Sequence, residues 1–439
     1  MKFFRKGNLE TAFFRLMTSA RLTQGIGFFL CPKRKANMSF LTSIAIIIVC
    51  ALALGGIFKK LKLPSLCGML VVGILLGPYV FDLISGDVLA ISADLRQFAL
   101  IVILTRAGLS LKLGDLKKVG RPAVLLCFVP ATFEIVGYIA FAPLILHTTI
   151  AESALAGAVM AAVSPAVVVP RMLKLKNERY GTNKGIPQMI MAGASCDDVF
   201  VIVLFSAFLT TVQTGDFDLN IFWKVPVSIL LGIALGLLVG FVCAKVFKKT
   251  ASVSLKTIVL LALSFLFVAL ETAVKKYVPF SGLLAVISAG VMLNVKAEDE
   301  AKELSDGYSK IWTFAEIILF VLVGAQANVS YAVKSGAAVI AVMFCALIFR
   351  IIGVFVCLIK TDLNFKERLF CAIAYIPKAT VQAAIGAIPL SMALPCGEVI
   401  LTCAVLAILV TAPLGAFAID LTYRRLLSCD DAYVRESAL

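Results

Sequence analysis

The chain has 439 residues, 61% of them hydrophobic and only 15% charged, and 41 Lys and Arg against 26 Asp and Glu give it a net charge of +15. This balance excludes an ordinary soluble domain, in which about half the residues are apolar, and a disordered chain, which lacks apolar surface to bury. Apolar runs of bilayer-spanning length recur throughout, so the fold class expected is an all-α polytopic membrane protein.

Residues 1–38 form a basic N-terminal segment with eight Lys and Arg. Three readings of it stay open: a basic amphipathic helix in the membrane interface, a poor extra span around 11–30 in which Arg15 and Arg21 oppose deep burial, or a non-native start with Met38 as the true first residue. No small-residue cleavage site follows, so it is not read as a signal peptide.

From residue 39 the hydropathy pattern predicts about 13 transmembrane helices. Six lie at 39–58, 65–82, 95–111, 121–146, 152–172 and 187–212, a seventh at 222–246, and six more at 253–273, 280–294, 310–328, 335–358, 367–390 and 398–422. Connections are short, so 39–425 reads as one polytopic unit followed by a tail, 426–439. Alternate loops carry 25 Lys and Arg on one side against 5 on the other, among them Arg96. Cytoplasmic loops accumulate positive charge, which predicts a cytoplasmic C-terminus. The net charge is largely this topology signal, and no nucleic-acid binding is read into it.

Several charges fall at membrane depth, taken in chain order. Arg106 in the third span lies near a helix end and can snorkel. Glu134 in the fourth, Arg350 in the eleventh and Lys378 in the twelfth lie well inside, where pairing is expected. Asp197 and Asp198 stand side by side in the sixth span, where each ionised carboxylate costs at least ~2.5 kcal/mol to insert. Carboxylates at that depth mark ion or proton pathways, because the same oxygens accept a proton or a hard cation.

Two spans are interrupted. The fifth contains Ser164-Pro165 and Pro170, and the twelfth contains Pro377-Lys378-Ala379-Thr380. Broken backbone at membrane depth is tolerated only where it lines a cavity or is buried in protein, although two ordinary proline kinks are the bland alternative. The broken spans are seven apart, an odd interval, as are the spans bearing Glu134 and Arg350. Spans 1–6 and 8–13 therefore read as two inverted-topology six-helix repeats, each with one discontinuous helix.

Most of the 12 Cys sit singly in apolar runs and read as small packing residues. The single His147 reads as a loop residue. No GxxxxGK[ST] loop occurs, so nucleotide hydrolysis is not expected and energy must come from an ion gradient.

Four stretches resemble the NHA-type sodium/proton antiporters of the cation:proton antiporter superfamily. They are Leu63-Pro64-Ser65-Leu66-Cys67-Gly68 running to Gly77-Pro78; Ser164-Pro165 to Pro170; Gly185-Ile186-Pro187 leading to Ala194-Ser195-Cys196-Asp197-Asp198; and Pro377 to Gly386. The resemblance covers about 40–425 and implies a secondary active transporter, not an enzyme, exchanging Na+ or Li+ for H+ by alternating access, with no cofactor. It further implies Asp198 as the ion and proton carrier and Asp197 as its partner, the two holding the transported Na+. Spans five and twelve would be crossed discontinuous helices that put Ser164 and Thr380 near the cation, with Lys378, Arg350 and Glu134 balancing charge and Arg350 pairing with Glu134. The implied core is spans 121–212 and 335–422, against dimer and scaffold spans 39–111 and 253–328 and a linker span 222–246. A homodimer in a bacterial plasma (inner) membrane is expected.

Many relatives place a lysine where this chain has Arg350. Arginine does not release its proton in proteins, so one-for-one exchange is expected if Lys378 stays charged as well, whereas the aspartate pair alone equally suggests two protons per cation. Rival readings are a K+/H+ exchanger, a Na+-coupled solute symporter and an intramembrane aspartyl protease. The protease is disfavoured because adjacent residues point about 100° apart on one helix.

Overall fold

The computed structural model describes residues 38–111, 120–214, 219–249, 252–274 and 277–429. The N-terminal segment 1–38 therefore lies, apart from Met38, outside the described residues, as do Lys112, Lys117, Lys118 and most of the tail. Among the described residues there is no β-strand, only an isolated bridge between Tyr180 and Cys429.

Helix ends follow from capping chemistry. α1 (Phe40–Lys60) starts where the Ser39 hydroxyl accepts the Thr42 N–H and ends on Lys59 and Lys60, cations that suit the negative C-terminal end of the helix. α2 (Ser65–Leu76) stops at Gly77-Pro78, because the residue before a proline is pushed from helical to extended backbone. α3 (Gly86–Ala90) and α4 (Ser92–Ser110) follow, then α5 (Arg121–Leu126) and α6 (Val129–Leu146), which ends with His147 in the left-handed region at φ 55°. α7 (Ile150–Met160) opens on a capping box in which Thr149 and Glu152 exchange hydrogen bonds. Next come α8 (Pro165–Asn177), α9 (Ile186–Thr214), α10 (Leu219–Phe247), α11 (Val253–Val274), α12 (Gly282–Lys296), α13 (Glu298–Gln326) and α14 (Val329–Cys357). A second capping box, Asn364 with Glu367, opens α15 (Phe365–Ala374), followed by α16 (Thr380–Gly386), α17 (Ile388–Ser391) and α18 (Gly397–Leu426).

By length and composition, 9 of the described helical segments can cross a bilayer, counting α5–α6 and α7–α8 as one each. The predicted spans 65–82 and 280–294 contain helices of only 12 and 15 residues. Both fall short of the ~20 residues that span a hydrocarbon core. Large apolar side chains of α1 and α11 such as Leu41, Val49, Ile258 and Leu266 are exposed, as lipid contact requires, whereas α7–α8 is the most enclosed of the apolar segments.

α6 packs along α14 through small residues. A Cβ on Gly137 would lie 2.9 Å from the Ala346 Cα, and one on Gly353 would lie 3.0 Å from the Pro130 Cα, so a methyl group at either would force the helices apart. This contact brings Glu134 of α6 against Arg350 of α14. α7 and α8 then pack against α9, while α16 and α18 close over them.

Candidate functional site

The two helix interruptions meet. Pro165 cannot continue α7, since its ring removes an N–H and clashes with the preceding turn, and the backbone runs extended through Ser164 at ψ 109°. Pro377 breaks α15 from α16 in the same way, with Ala379 at φ −161°. The Ser164 N–H donates to the Pro377 carbonyl at 2.8 Å, tying one break to the other.

Each interruption strands backbone groups that buried surroundings must satisfy. Side chains from other helices do this. Asp197 Oδ2 accepts the Val163 N–H at 2.8 Å, Gln382 Nε2 donates to the Ala162 carbonyl at 2.9 Å, and Thr411 Oγ1 accepts the Lys378 N–H at 2.9 Å. Arg350 reaches both breaks, donating from Nε to the Tyr375 carbonyl at 2.7 Å and from Nη1 to the Ala161 carbonyl.

Around this framework lies a buried charge cluster. Arg350 donates from Nη1 to Glu134 Oε2 at 2.7 Å and from Nη2 to Asp197 Oδ2 at 3.1 Å. The Lys378 ammonium also donates to Glu134 Oε2. Glu134, Asp197, Arg350 and Lys378 are each at most 1% exposed. Ion pairs this deep are tolerated only with such additional hydrogen bonds.

Asp198 differs. It makes no hydrogen bond or ion pair with any described residue, its buried Oδ1 lacks a partner, and it lines a cavity of about 790 Å³ with Thr380, Gln188, Arg106 and Lys176. Three buried carboxylates, Glu134, Asp197 and Asp198, face two cationic groups, Arg350 and Lys378. When all are ionised one negative charge is left over, and Asp198 is the carboxylate with no partner. Buried hydroxyls at Ser164 and Thr380 and the buried amide oxygens of Gln188 and Gln382 are also unpartnered. Such a donor set, all oxygen, suits a hard monovalent cation or a proton rather than a soft metal.

The family model described as "Sodium/hydrogen exchanger, transmembrane" matches residues 44–423. The chain belongs to that family. Its members are multi-pass membrane secondary transporters and not enzymes. The chain is similar to "Sodium/hydrogen exchanger 9B2" of Mus musculus, 33% identical over 405 residues that cover 88% of this chain and 74% of that one. The protein of the same name from Xenopus tropicalis is 34% identical over 396 residues, covering 85% and 73%. Among solved structures, the sodium proton antiporter MjNhaP1 from Methanocaldococcus jannaschii superposes with a TM-score of 0.77 over 88% of this chain and 98% of that chain, at 22% identity, a likeness of fold. These curated relatives are vertebrate, so the expected bacterial inner membrane gains no support from them.

Within this exchanger fold the seven residues singled out in the sequence occupy two settings. Glu134, Arg350, Lys378 and Asp197 converge in one cluster, whereas Asp198 and Thr380 face the cavity and Ser164 stands at the break between. The adjacent aspartates, expected to hold one cation together, thus have separate surroundings. Arg106, read as a snorkelling residue, lines the cavity beside Asp198. Gln382 had appeared only inside a resembling stretch and Gln188 not at all, while Tyr375 and Thr411 carried no signal, since their roles come from contacts with remote segments.

Proposed function

We propose that this family member exchanges Na+ or Li+ for H+ by alternating access, with Asp198 as the carrier of both. The observation that carries this reading is the unpartnered Asp198 carboxylate on the wall of the 790 Å³ cavity, beside a cluster whose other charges are matched. One carboxylate can hold a proton or a cation but not both at once, so neither is carried without displacing the other. Thr380 and Ser164 offer further oxygen ligands. Asp197, held by Arg350 and the Val163 N–H, acts as the partner that fixes the break, and Lys378, Arg350 and Glu134 balance charge in the dry interior.

This allocation favours one H+ for one Na+, because a single carboxylate is available and Arg350 does not titrate. A moving core of spans 121–212 and 335–422, crossing at the two breaks, would work against scaffold spans 39–111 and 253–328, with 222–246 as linker. The whole would comprise 13 spans in two inverted repeats, with a cytoplasmic C-terminus and a homodimeric assembly. Lys176 and Arg106, which line the cavity beside Asp198, support reading its end as the basic, cytoplasmic one.

Purified protein in liposomes with an internal pH dye tests the reading. External Na+ or Li+ should drive proton efflux, the half-saturating Na+ should rise as pH falls, and Asp198→Asn should lower the rate at least about 100-fold while leaving the folded protein intact. A K+ response without a Na+ response would reassign the cargo. No cation response at all would leave a Na+-coupled solute symporter as the better reading.

A further inference from the structure

A second cavity, of about 580 Å³, has walls contributed by α4, α9, α10, α11, α12 and the α16–α17 segment. It shares no lining residue with the cavity that holds Asp198. Its lining includes Arg96 and the Pro279–Ser281 connection, which belong to the sparsely basic side of the topology.

Arg96 is the unusual member. In the sequence it counts merely as one of the few basic residues of its side, but in the structure it is only 4% exposed. Its Nη1 is enclosed without a hydrogen-bond partner, and the guanidinium makes no hydrogen bond or ion pair with any described residue. A guanidinium always carries its charge, and enclosing its Nη1 without a counter-ion is unfavourable, so an anion lying against it would complete the arrangement. Glu271, the one carboxylate in the described wall, accepts the Gly282 N–H at 2.8 Å.

The remaining lining decides what kind of anion fits. Leu100, Phe205, Val268, Phe280, Leu284 and Ile388 give the cavity long apolar faces, and hydroxyls such as Ser206 and Ser228 are scattered between them. The volume is that of a small-molecule site, and an apolar wall with one buried charge is complementary to a ligand having one charged end. A guanidinium binds carboxylate and phosphate through paired N–H donors, whereas a lone inorganic anion would leave the apolar faces uncovered.

We infer that this cavity is a binding site for an anionic amphiphile, a single carboxylate or phosphate head held by Arg96 with its hydrocarbon chain along the apolar wall. The site itself does not depend on the exchange reading. Its effect on transport does rest on that reading: because α9 and α16–α17 belong to the proposed core and α4, α11 and α12 to the proposed scaffold, an occupant would bridge them and slow exchange.

Binding is therefore measured directly, by thermal unfolding of the full chain in an uncharged maltoside detergent. Oleate and dodecyl phosphate should each raise the melting midpoint of the wild type by at least about 2 °C, while oleyl alcohol and inorganic phosphate should not. Arg96→Gln should abolish the shift, and Ser228→Trp, which narrows the cavity from α10 and keeps Arg96, should weaken it at least about tenfold in concentration. If Arg96→Gln does not fold, the Ser228→Trp comparison decides alone. Equal shifts in wild type and variants, no shift in the wild type, or a shift with the neutral alcohol would overturn the site. A shift with inorganic phosphate alone would overturn the amphiphile and leave a simple anion site. Exchange measured with and without oleate then reads the transport effect separately, so an inactive transporter would not disguise a binding site.

Discussion

Asp197 and Asp198 are consecutive residues of α9, yet they belong to two regions that treat charge in opposite ways. Behind Asp197 is a buried cluster in which Glu134, Arg350 and Lys378 answer one another and close off backbone groups freed by the broken helices. In front of Asp198 is a cavity in which the carboxylate has no partner among the described residues. The difference teaches that chemical type does not separate structural from working polar groups here. Whether the partners are built in does.

That contrast can be broken by mutation. The largest effect on transport is the loss expected of Asp198→Asn. On the buried side, Arg350→Ala should be the most damaging to stability, by about 3–5 kcal/mol, because it takes the same cation from Glu134 and Asp197 and the side-chain donors from two backbone carbonyls; thermal inactivation in detergent reads this. If Arg350→Ala leaves the unfolding midpoint unchanged, the cluster is not structural and the division fails. Glu134→Gln keeps the shape but turns a shared charge-assisted acceptor into a neutral one, so a smaller loss of about 1.5–3 kcal/mol is expected. Smallest and on the other side, Thr380→Val should raise the half-saturating Na+ by about tenfold or less with the melting midpoint unchanged. A Thr380→Val variant that lost stability but kept its Na+ affinity would move Thr380 into the structural group.

Much of this was legible in the sequence because the signals are local. Pro165 and Pro377 announce the breaks by their missing N–H groups, and Glu134, Asp197, Asp198, Arg350 and Lys378 stand out as charges in apolar runs. The resemblance in four stretches implied the Arg350–Glu134 contact. What stayed hidden are the partners across long chain separations: Lys378 with Glu134, Gln382 with the Ala162 carbonyl, Thr411 with the Lys378 N–H. Thr411 and Gln382 are unremarkable in sequence because their partners are backbone atoms, which have no residue identity. Arg96 was read as loop charge for the complementary reason, that window hydropathy cannot tell a cation at a helix end in water from one folded inward. Helix lengths were overestimated at 65–82, where Gly77-Pro78 ends α2 early.

The hydrogen bond from Ser164 to Pro377 has a mechanical consequence. It acts as a rivet between pieces of chain from opposite halves of the sequence, at the level where each is thinnest. With Arg350 also donating to the Tyr375 and Ala161 carbonyls, one at each break, the joint is held by a side chain as well as by backbone. In the proposed exchange cycle a load applied to one interrupted helix would be passed to the other through this bond, and the two breaks would move together with Asp198.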